Sequence, residues 1–304
     1  MSQPNRTPNK NRRQKDREIR LRKWEWYLRR IFARYARVST RQGIFELDLK
    51  DESISWKMFV LRHYELNWAN RVVKFLDESG YYKYSQKGTV LDIGANNGVI
   101  SIGMLHLHQF YRAIAIEPEP HNFNLLEKNV ALNQLQDRMI CLPYAISDKQ
   151  GEVEFEISRR YLGVHRVKRD STVAIPTPTN ENEKREIVKV PSDTLEHLLE
   201  RAPAEFVDNI RLIWIDIQGH EGYAFQGAES LFSRDIPVVT ELWPYGILSG
   251  GMTTKAYCEI AEKFWRFYWI LDEEQLTRHP ISNLHDFMGT LARIGKYTNV
   301  ILTK

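Results

Sequence analysis

Residues 89–98, TVLDIGANNG, constrain this chain more than any other stretch. Val90, Leu91 and Ile93 form the short apolar run of a strand buried on both faces, and the run stops at Gly94-Ala95-Asn96-Asn97-Gly98. A helical pattern follows at once. Glycines in such a turn permit positive φ and let a ligand come close to the backbone. The free N–H groups of a helix that begins near Asn97 face the same point, so the end of the strand becomes a polar, ligand-sized pocket.

The turn also narrows the ligand. It lacks GxGxxG, having only Gly94 and Gly98 four apart, and no GxxxxGK[ST] phosphate loop occurs elsewhere. A nicotinamide oxidoreductase is therefore disfavoured. Asp92 puts a carboxylate at the strand end, unsuited to phosphate and suited to a cationic or amino-bearing group. Glu117 ends the next apolar run, roughly 20 residues on, where an acid in a doubly wound sheet accepts both ribose hydroxyls.

Strand and helix patterns alternate after this point. RAIAIE (112–117), MICLPYAI (139–146), IRLIWIDI (210–217) and PVVTELW (237–243) read as strands, with FYWILD (267–272) and TNVILTK (298–304) to complete the sheet. Helices fit 121–133, 193–201, 222–233 and 253–265. The expected architecture is α/β, a largely parallel sheet with helices on both faces, over residues 81–304. GEVEFEIS reads as an edge strand. An insertion at 158–186 gathers Arg159, Arg160, Arg166, Lys168 and Arg169 around His165; it is either a solvated surface loop or a substrate-facing segment for an anionic group.

Before the sheet lie two other regions. Residues 42–80 are expected to form a cover over the pocket: a hairpin of GIFELDL and SISWKMFVL, then a helix over 64–78 with Leu66, Ala69, Val73 and Leu76 on one face. Residues 1–41 hold 14 Lys or Arg against three acids, so the overall charge of +4 hides a basic arm on a mildly acidic body. Residues 1–15 are expected to be disordered. Leu21, Trp24, Leu28, Ile31, Tyr35 and Val38 then recur at helical spacing. That stripe is expected to pack on the body or on a second subunit. An anionic membrane surface or RNA is the alternative, with nucleic acid the less favoured.

The 42% hydrophobic content is that of a globular chain, and no apolar run is long enough to span a membrane or to act as an export signal. The expected location is the cytoplasm, peripheral to the inner membrane face if the arm binds lipid. Cys141 and Cys258 are expected to be buried free thiols. His106 and His108 point to different helix faces, and no metal site is expected.

VLDIGANNG, AIEPEPHNFNLLEKNVALN, LPYAISDKQGEVEF, IWIDIQGHEGYAFQGAESLF and PVVTEL, in this order, resemble the FkbM family of methyltransferases. The resemblance covers roughly residues 64–245. It implies a class I methyltransferase fold of seven strands with the last antiparallel, S-adenosyl-L-methionine as cofactor, and transfer to a hydroxyl of a sugar, glycolipid or other small natural product. It further implies that Asp92, Gly94, Ala95, Asn96 and Gly98 line the methionine portion. Glu117, with Pro118, meets the ribose, and Tyr144 to Asp148, Ala145 among them, approach adenine. Two positions depart from the family: Trp214 stands where Lys is frequent, and Val99 where an aromatic is frequent.

DIQGHEG carries the candidate catalytic groups. Asp216 ends a central strand, His220 and Glu221 follow, and Glu241 ends the neighbouring strand. A hydroxyl acceptor gains from a base that removes its proton, and His220 has the right unperturbed pKa, with Asp216 or Glu241 to orient it or the acceptor. Glu221 is equally well explained as a first-turn helix acid. A methyltransferase-like module of weak activity, docked by its basic arm, is the competing reading, motivated by Trp214.

Overall fold

The N-terminal region departs from its expected form. The computed structural model describes residues 8–107, 109–168, 185–272 and 275–304. Helix α1 (Pro8–Phe32) already includes residues 8–15, expected to be disordered, and it stops well before residue 41. Tyr35 and Val38 belong instead to strand β1 (Tyr35–Thr40), which pairs antiparallel with β2 (Gly43–Asp48). GIFELDL thus finds its hairpin partner upstream, and SISWKMFVL forms helix α2 (Ile54–Leu61).

The burial periods explain both corrections. Ala36 and Val38 alternate inwards as in a strand, whereas Ile54 with Met58 and Ser55 with Phe59 are buried four apart. The Asp51 carboxylate accepts N–H bonds from Ser53 at 2.9 Å and Ser55 at 2.7 Å, satisfying donors that the start of α2 leaves open. Helix α3 (Leu66–Glu78) follows where expected, burying Leu66, Ala69, Val72, Phe75 and Leu76.

The core alternates as the sequence implies: β3 (Thr89–Ile93), α4 (Val99–His106), β4 (Arg112–Ile116), α5 (Pro120–Leu132) and β5 (Met139–Leu142). A separate small sheet then inserts β6 (Ala145–Ile146), β7 (Gly151–Ile157), β8 (Arg166–Val167) and β9 (Glu186–Asp193). GEVEFEIS is accordingly not an edge of the main sheet; β7 lies between β9 and β8. The main sheet resumes with β10 (Ile210–Ile215), β11 (Val238–Leu242), β12 (Phe267–Ile270), β13 (Arg278–Pro280) and β14 (Thr298–Thr303).

The strand order is β5-β4-β3-β10-β11-β14-β12-β13. β14 runs antiparallel between β11 and β12, and β3, β4, β5, β10 and β11 are mutually parallel. Seven strands in this order give the class I methyltransferase fold, and the three-residue β13 adds an eighth at the edge.

Period-two alternation sorts the strands into two apolar layers. Leu91, Ile114 and Ile213 face a layer containing Phe225 and Trp265. Val90, Ala113, Leu212, Trp214 and Val239 face the other, which holds Trp26, Phe45 and Met58. Residues 26–76 therefore build one of the two cores rather than a detachable cap. By the same parity Asp92, Asp216 and Glu241 leave their strands towards that N-terminal layer.

Candidate active site

The chain leaves β3 towards β4 on one side and returns through β10 and β11 on the other. The strand ends of β3 and β10 are thus the switch point at which open α/β sheets bind ligands. Gly94 (φ +87°), Asn96 (φ 51°) and Gly98 (φ +85°) all adopt left-handed backbone in the connecting turn. At Gly94 the constraint is doubled, because a Cβ there would lie 2.0 Å from the Asp216 carbonyl oxygen. Only glycine lets the two central strand ends approach this closely.

A cleft opens beside this turn. Glu117 anchors it: its Oε2 accepts the Asn96 N–H at 2.8 Å and its Oε1 the Glu119 N–H at 2.9 Å. Burial drives the Glu117 carboxyl up to about 8 despite these two N–H bonds, with Glu119 and Asp92 adding repulsion. Pro118, Tyr144, Ala145, Ile146, Phe155 and Leu162 line the rest. A buried hydrogen-bond acceptor at the end of an apolar slot fits a nucleoside, with the hydroxyls at Glu117 and the base among the apolar side chains.

A second compartment adjoins the first and shares Gly94, Asn96, Gly163 and Asp216 with it. Tyr64, Glu65, Asp92, Ala95 and Trp214 are among its walls. Asp92 is oriented by Ser101, whose N–H and hydroxyl both donate to Oδ2 at 3.1 and 2.5 Å, and burial raises it to about 6. Glu65 rises to about 7, through burial first and then the nearby Asp216, against a lowering hydrogen bond from Tyr64. Asp216 is raised by burial, although Gln218 donates to it at 2.7 Å. Burial also raises Glu241, and Asp216, Glu221 and Glu65 raise it further. Carboxylates that repel one another in this way favour a cationic ligand beside them. Together the two compartments fit S-adenosylmethionine, a nucleoside carrying a sulfonium.

Not every expected residue lines this cavity. Gly98 serves the turn, where a Cβ would come within 2.6 Å of Leu126, and exposed Asp148 accepts the Ser147 hydroxyl at 2.9 Å. His220 sits in the nucleoside cleft, its Nε2 3.2 Å from Ser147 Oγ and its ring stacked on Tyr223 at 4.6 Å. The structure thus pairs it with Ser147 rather than with Asp216 or Glu241, because the turn after Asp216 carries it to the opposite compartment. Glu221 Oε1 accepts the N–H groups of Ile217 and Gly219 at 3.0 and 3.2 Å, which holds that turn together.

Sequence reasoning missed Tyr64, Glu65, Leu162 and Gly163. The Leu162 carbonyl accepts from Asn96 Nδ2 at 2.8 Å and Asn122 Nδ2 at 3.2 Å, while its N–H donates to Asp51 at 3.1 Å. This strap ties the insertion to both the glycine turn and the start of α2. An unusual left-handed Glu65 (φ 48°) precedes α3, and no local pattern marks it.

The insertion's cations are paired outwards. Arg159 meets Glu186 at 2.8 Å, Arg160 Glu52 at 2.7 Å, Arg166 Glu156 at 2.9 Å and Lys168 Glu154 at 2.8 Å. They form a charge lattice with neighbouring carboxylates, which favours the surface-loop alternative over the substrate-facing one for these four residues; Arg169 and residues 170–184 lie outside the described residues. His165 is held neutral by burial, down to about 3, and its Nδ1 accepts the Ser158 N–H at 3.1 Å. His106 bonds Asn133 at 2.7 Å, and His108 lies outside the described residues. Cys141 is half-buried and Cys258 buried, both free and both pushed up to about 12 by burial. Among the described residues no group of three or more His, Cys, Asp or Glu has an arrangement that could hold a metal ion, and no helix is long and apolar enough to cross a membrane.

The 2-O-methyltransferase NoeI of Sinorhizobium fredii is 26% identical over 182 residues, 58% of this chain and 71% of that protein. Among solved structures, methyltransferase FkbM from Methylobacillus flagellatus aligns at 13% identity over 71% of this chain with a TM-score of 0.40, and this chain spans only 44% of its length. A transferase from Pyrococcus horikoshii aligns at 13% identity over 88% of this chain and 70% of its own, with a TM-score of 0.44. The methyltransferase FkbM domain model matches residues 92–267, the stretch that contains both compartments' strand ends. Since that match takes in more than half of the 304 residues, the chain belongs to the FkbM methyltransferase family.

Proposed function

We propose that this methyltransferase uses S-adenosylmethionine to methylate a hydroxyl of a sugar, glycolipid or other small polyhydroxylated molecule. The observation that carries the reading is the pair of compartments meeting at Asp216, one suited to a nucleoside and one lined by carboxylates. The printed name of the Sinorhizobium relative, a 2-O-methyltransferase, is consistent with an oxygen acceptor.

Bound S-adenosylmethionine supplies an electrophilic methyl group on a sulfonium. Glu117 would take the ribose hydroxyls, Asp92 and Asp216 would favour the cationic portion, and the Gly94–Asn96 turn would position it. Glu65 is the best-placed base, since a carboxyl titrating near neutrality can accept a hydroxyl proton at working pH. Glu241 would orient the acceptor, and Trp214 supplies an apolar wall on which a sugar face can rest. His220 then belongs to cofactor binding rather than to proton transfer.

Calorimetric titration of the full chain with S-adenosylmethionine tests the cofactor. Saturable one-site binding is expected, weakened about 100-fold, or roughly 2.7 kcal/mol, in Glu117→Ala. Normal binding by both Glu117→Ala and Asp92→Ala would overturn the site. A screen of glycans and lipid-linked sugars for transfer of labelled methyl tests the acceptor, and transfer only to a nitrogen or carbon acceptor would refute the oxygen assignment.

A further inference from the structure

The apolar stripe of α1 does not face the body. Trp26, fully buried, is the side chain that docks this helix, its ring 5.4 Å from Phe59, with Arg30 bound to Glu52 at 2.9 Å. Leu21, Trp24, Tyr27, Leu28, Ile31 and Phe32 are instead 54–87% exposed. At 3.6 residues per turn these six span roughly 140° of the helix surface, centred opposite Trp26. Of the two coverings expected for the stripe, the body and a second subunit, the body is therefore excluded for these six residues: the helix is anchored by its other face.

Charge is distributed around the stripe in a definite way. Exposed Arg13 and Arg17 continue its line towards the N-terminus, and exposed Arg20 runs along one margin. On the other margin Arg22 and Arg29 are paired with Glu18 and Glu25. A contiguous apolar strip on a 25-residue helix, prolonged by cations, matches a helix lying in the plane of a bilayer interface.

We propose that the outer face of α1 docks this enzyme on an anionic lipid bilayer, with Trp24, Leu28, Ile31 and Phe32 entering the headgroup boundary and the N-terminal arginines contacting lipid phosphates. RNA is the poorer partner, because aliphatic Leu21, Leu28 and Ile31 gain nothing from a phosphodiester chain, which is bound by cations and stacking rings. A second copy is poorer as well, since a parallel pairing of two stripes about a twofold axis would set Arg13, Arg17 and Arg20 of one helix against the same three cations of the other.

The test is flotation of the full chain with vesicles of phosphatidylcholine containing about 30 mol% phosphatidylglycerol, against phosphatidylcholine alone. Binding to the anionic vesicles is expected, weakened at least about tenfold by Trp24→Glu with Ile31→Glu, and weakened by raising salt from about 0.05 M to about 0.5 M. Both positions are exposed, so melting and S-adenosylmethionine affinity should be unchanged, which separates this proposal from the assignment of the active site. Arg13→Gln with Arg17→Gln and Arg20→Gln should lower binding and flatten its salt dependence. Failure to float with anionic vesicles, or equal flotation of the Glu variant, would overturn the proposal. So would a dimer that the Glu variant dissociates, or RNA binding sensitive to the arginines and indifferent to Ile31.

Discussion

The two compartments of the candidate active site share a seam and are differently built. The nucleoside cleft takes its acceptor from a strand end whose carboxylate is held by two backbone N–H groups two and 21 residues away. The second compartment takes Glu65, Asp92 and Asp216 from three separate segments, with Glu241 in electrostatic reach of them though not among its walls; Asp92 is held by Ser101 and Asp216 by Gln218, whereas Glu65 and Glu241 are raised by burial and by the nearby Asp216. The first is a preformed receptor. On the function proposed above, a cationic ligand would relieve the mutual repulsion in the second, so that one cavity would both bind and prepare a base.

The seam between them is where the comparison breaks most completely. Gly94→Ala would place a methyl 2.0 Å from the Asp216 carbonyl oxygen on a backbone at φ +87°. We expect a loss of more than about 3 kcal/mol of stability and no measurable cofactor binding, read by thermal melting and calorimetry. A variant that melts like the wild type would show that the strand ends part easily.

Removing the proposed base should separate the compartments. Glu65→Gln is expected to lower kcat by about 10²–10⁴ while S-adenosylmethionine affinity stays within about twofold. His220→Gln should do the reverse, weakening the cofactor and leaving the pH profile of kcat in place. If His220→Gln abolishes that profile and Glu65→Gln keeps it, the base sits in the other compartment.

Two opposite pH dependences follow from the raised carboxyls. Turnover should rise with pH through about 7 as Glu65 ionises, and that limb should vanish in Glu65→Gln. Stability of the ligand-free protein should move the other way. Asp92, Glu65, Glu221 and Glu117 have folded values of about 6, 7, 7 and 8, above the ordinary 3.8 or 4.5, so the folded state binds more protons. Their contribution is full below those ordinary values and is lost as pH rises through 6 to 8. Melting temperatures should therefore fall across that window, and saturating S-adenosylmethionine should flatten the decline. Asp48 has the opposite sign: burial alone would raise it, but the His121 and Lys50 hydrogen bonds and Arg34 hold it low, so its contribution is lost only in acid.

The smallest effect on cofactor affinity is expected at Trp214, a core residue of the N-terminal layer at a position where the family frequently has Lys, although burying an ammonium there should itself lower the melting temperature. Trp214→Lys should leave cofactor affinity nearly unchanged and shift the alkaline-rising limb of kcat to lower pH, because an ammonium beside Glu65 favours its ionised form. An unshifted limb would place residue 214 out of electrostatic reach of the base.

Much of this was legible before any coordinates. An apolar run that stops at DIGANNG can only be a buried strand entering a tight turn, and the alternation after it fixes helices and parallel strands in sequence. These are local properties, set by side-chain period and by the few residues that tolerate positive φ. Asp92, Glu117, Asp216 and Glu241 were recognisable because each ends such a strand, and equal parity sends Asp92, Asp216 and Glu241 to one face.

Tertiary packing decided the rest. GIFELDL is compatible with a strand on either side of it, and only the burial of Ala36 and Val38 selects the upstream partner, leaving SISWKMFVL to fold as a helix. The α1 pattern carries two apolar faces, and nothing local says that Trp26, rather than the longer stripe, finds a cavity beside Phe59. Glu65 meets Asp216 across 151 positions of sequence because the residue preceding α3 and the end of β10 line the same compartment. A periodicity reports which side of an element is apolar, whereas which surface covers that side, and which distant carboxylate is left facing it, is settled by how the layers close.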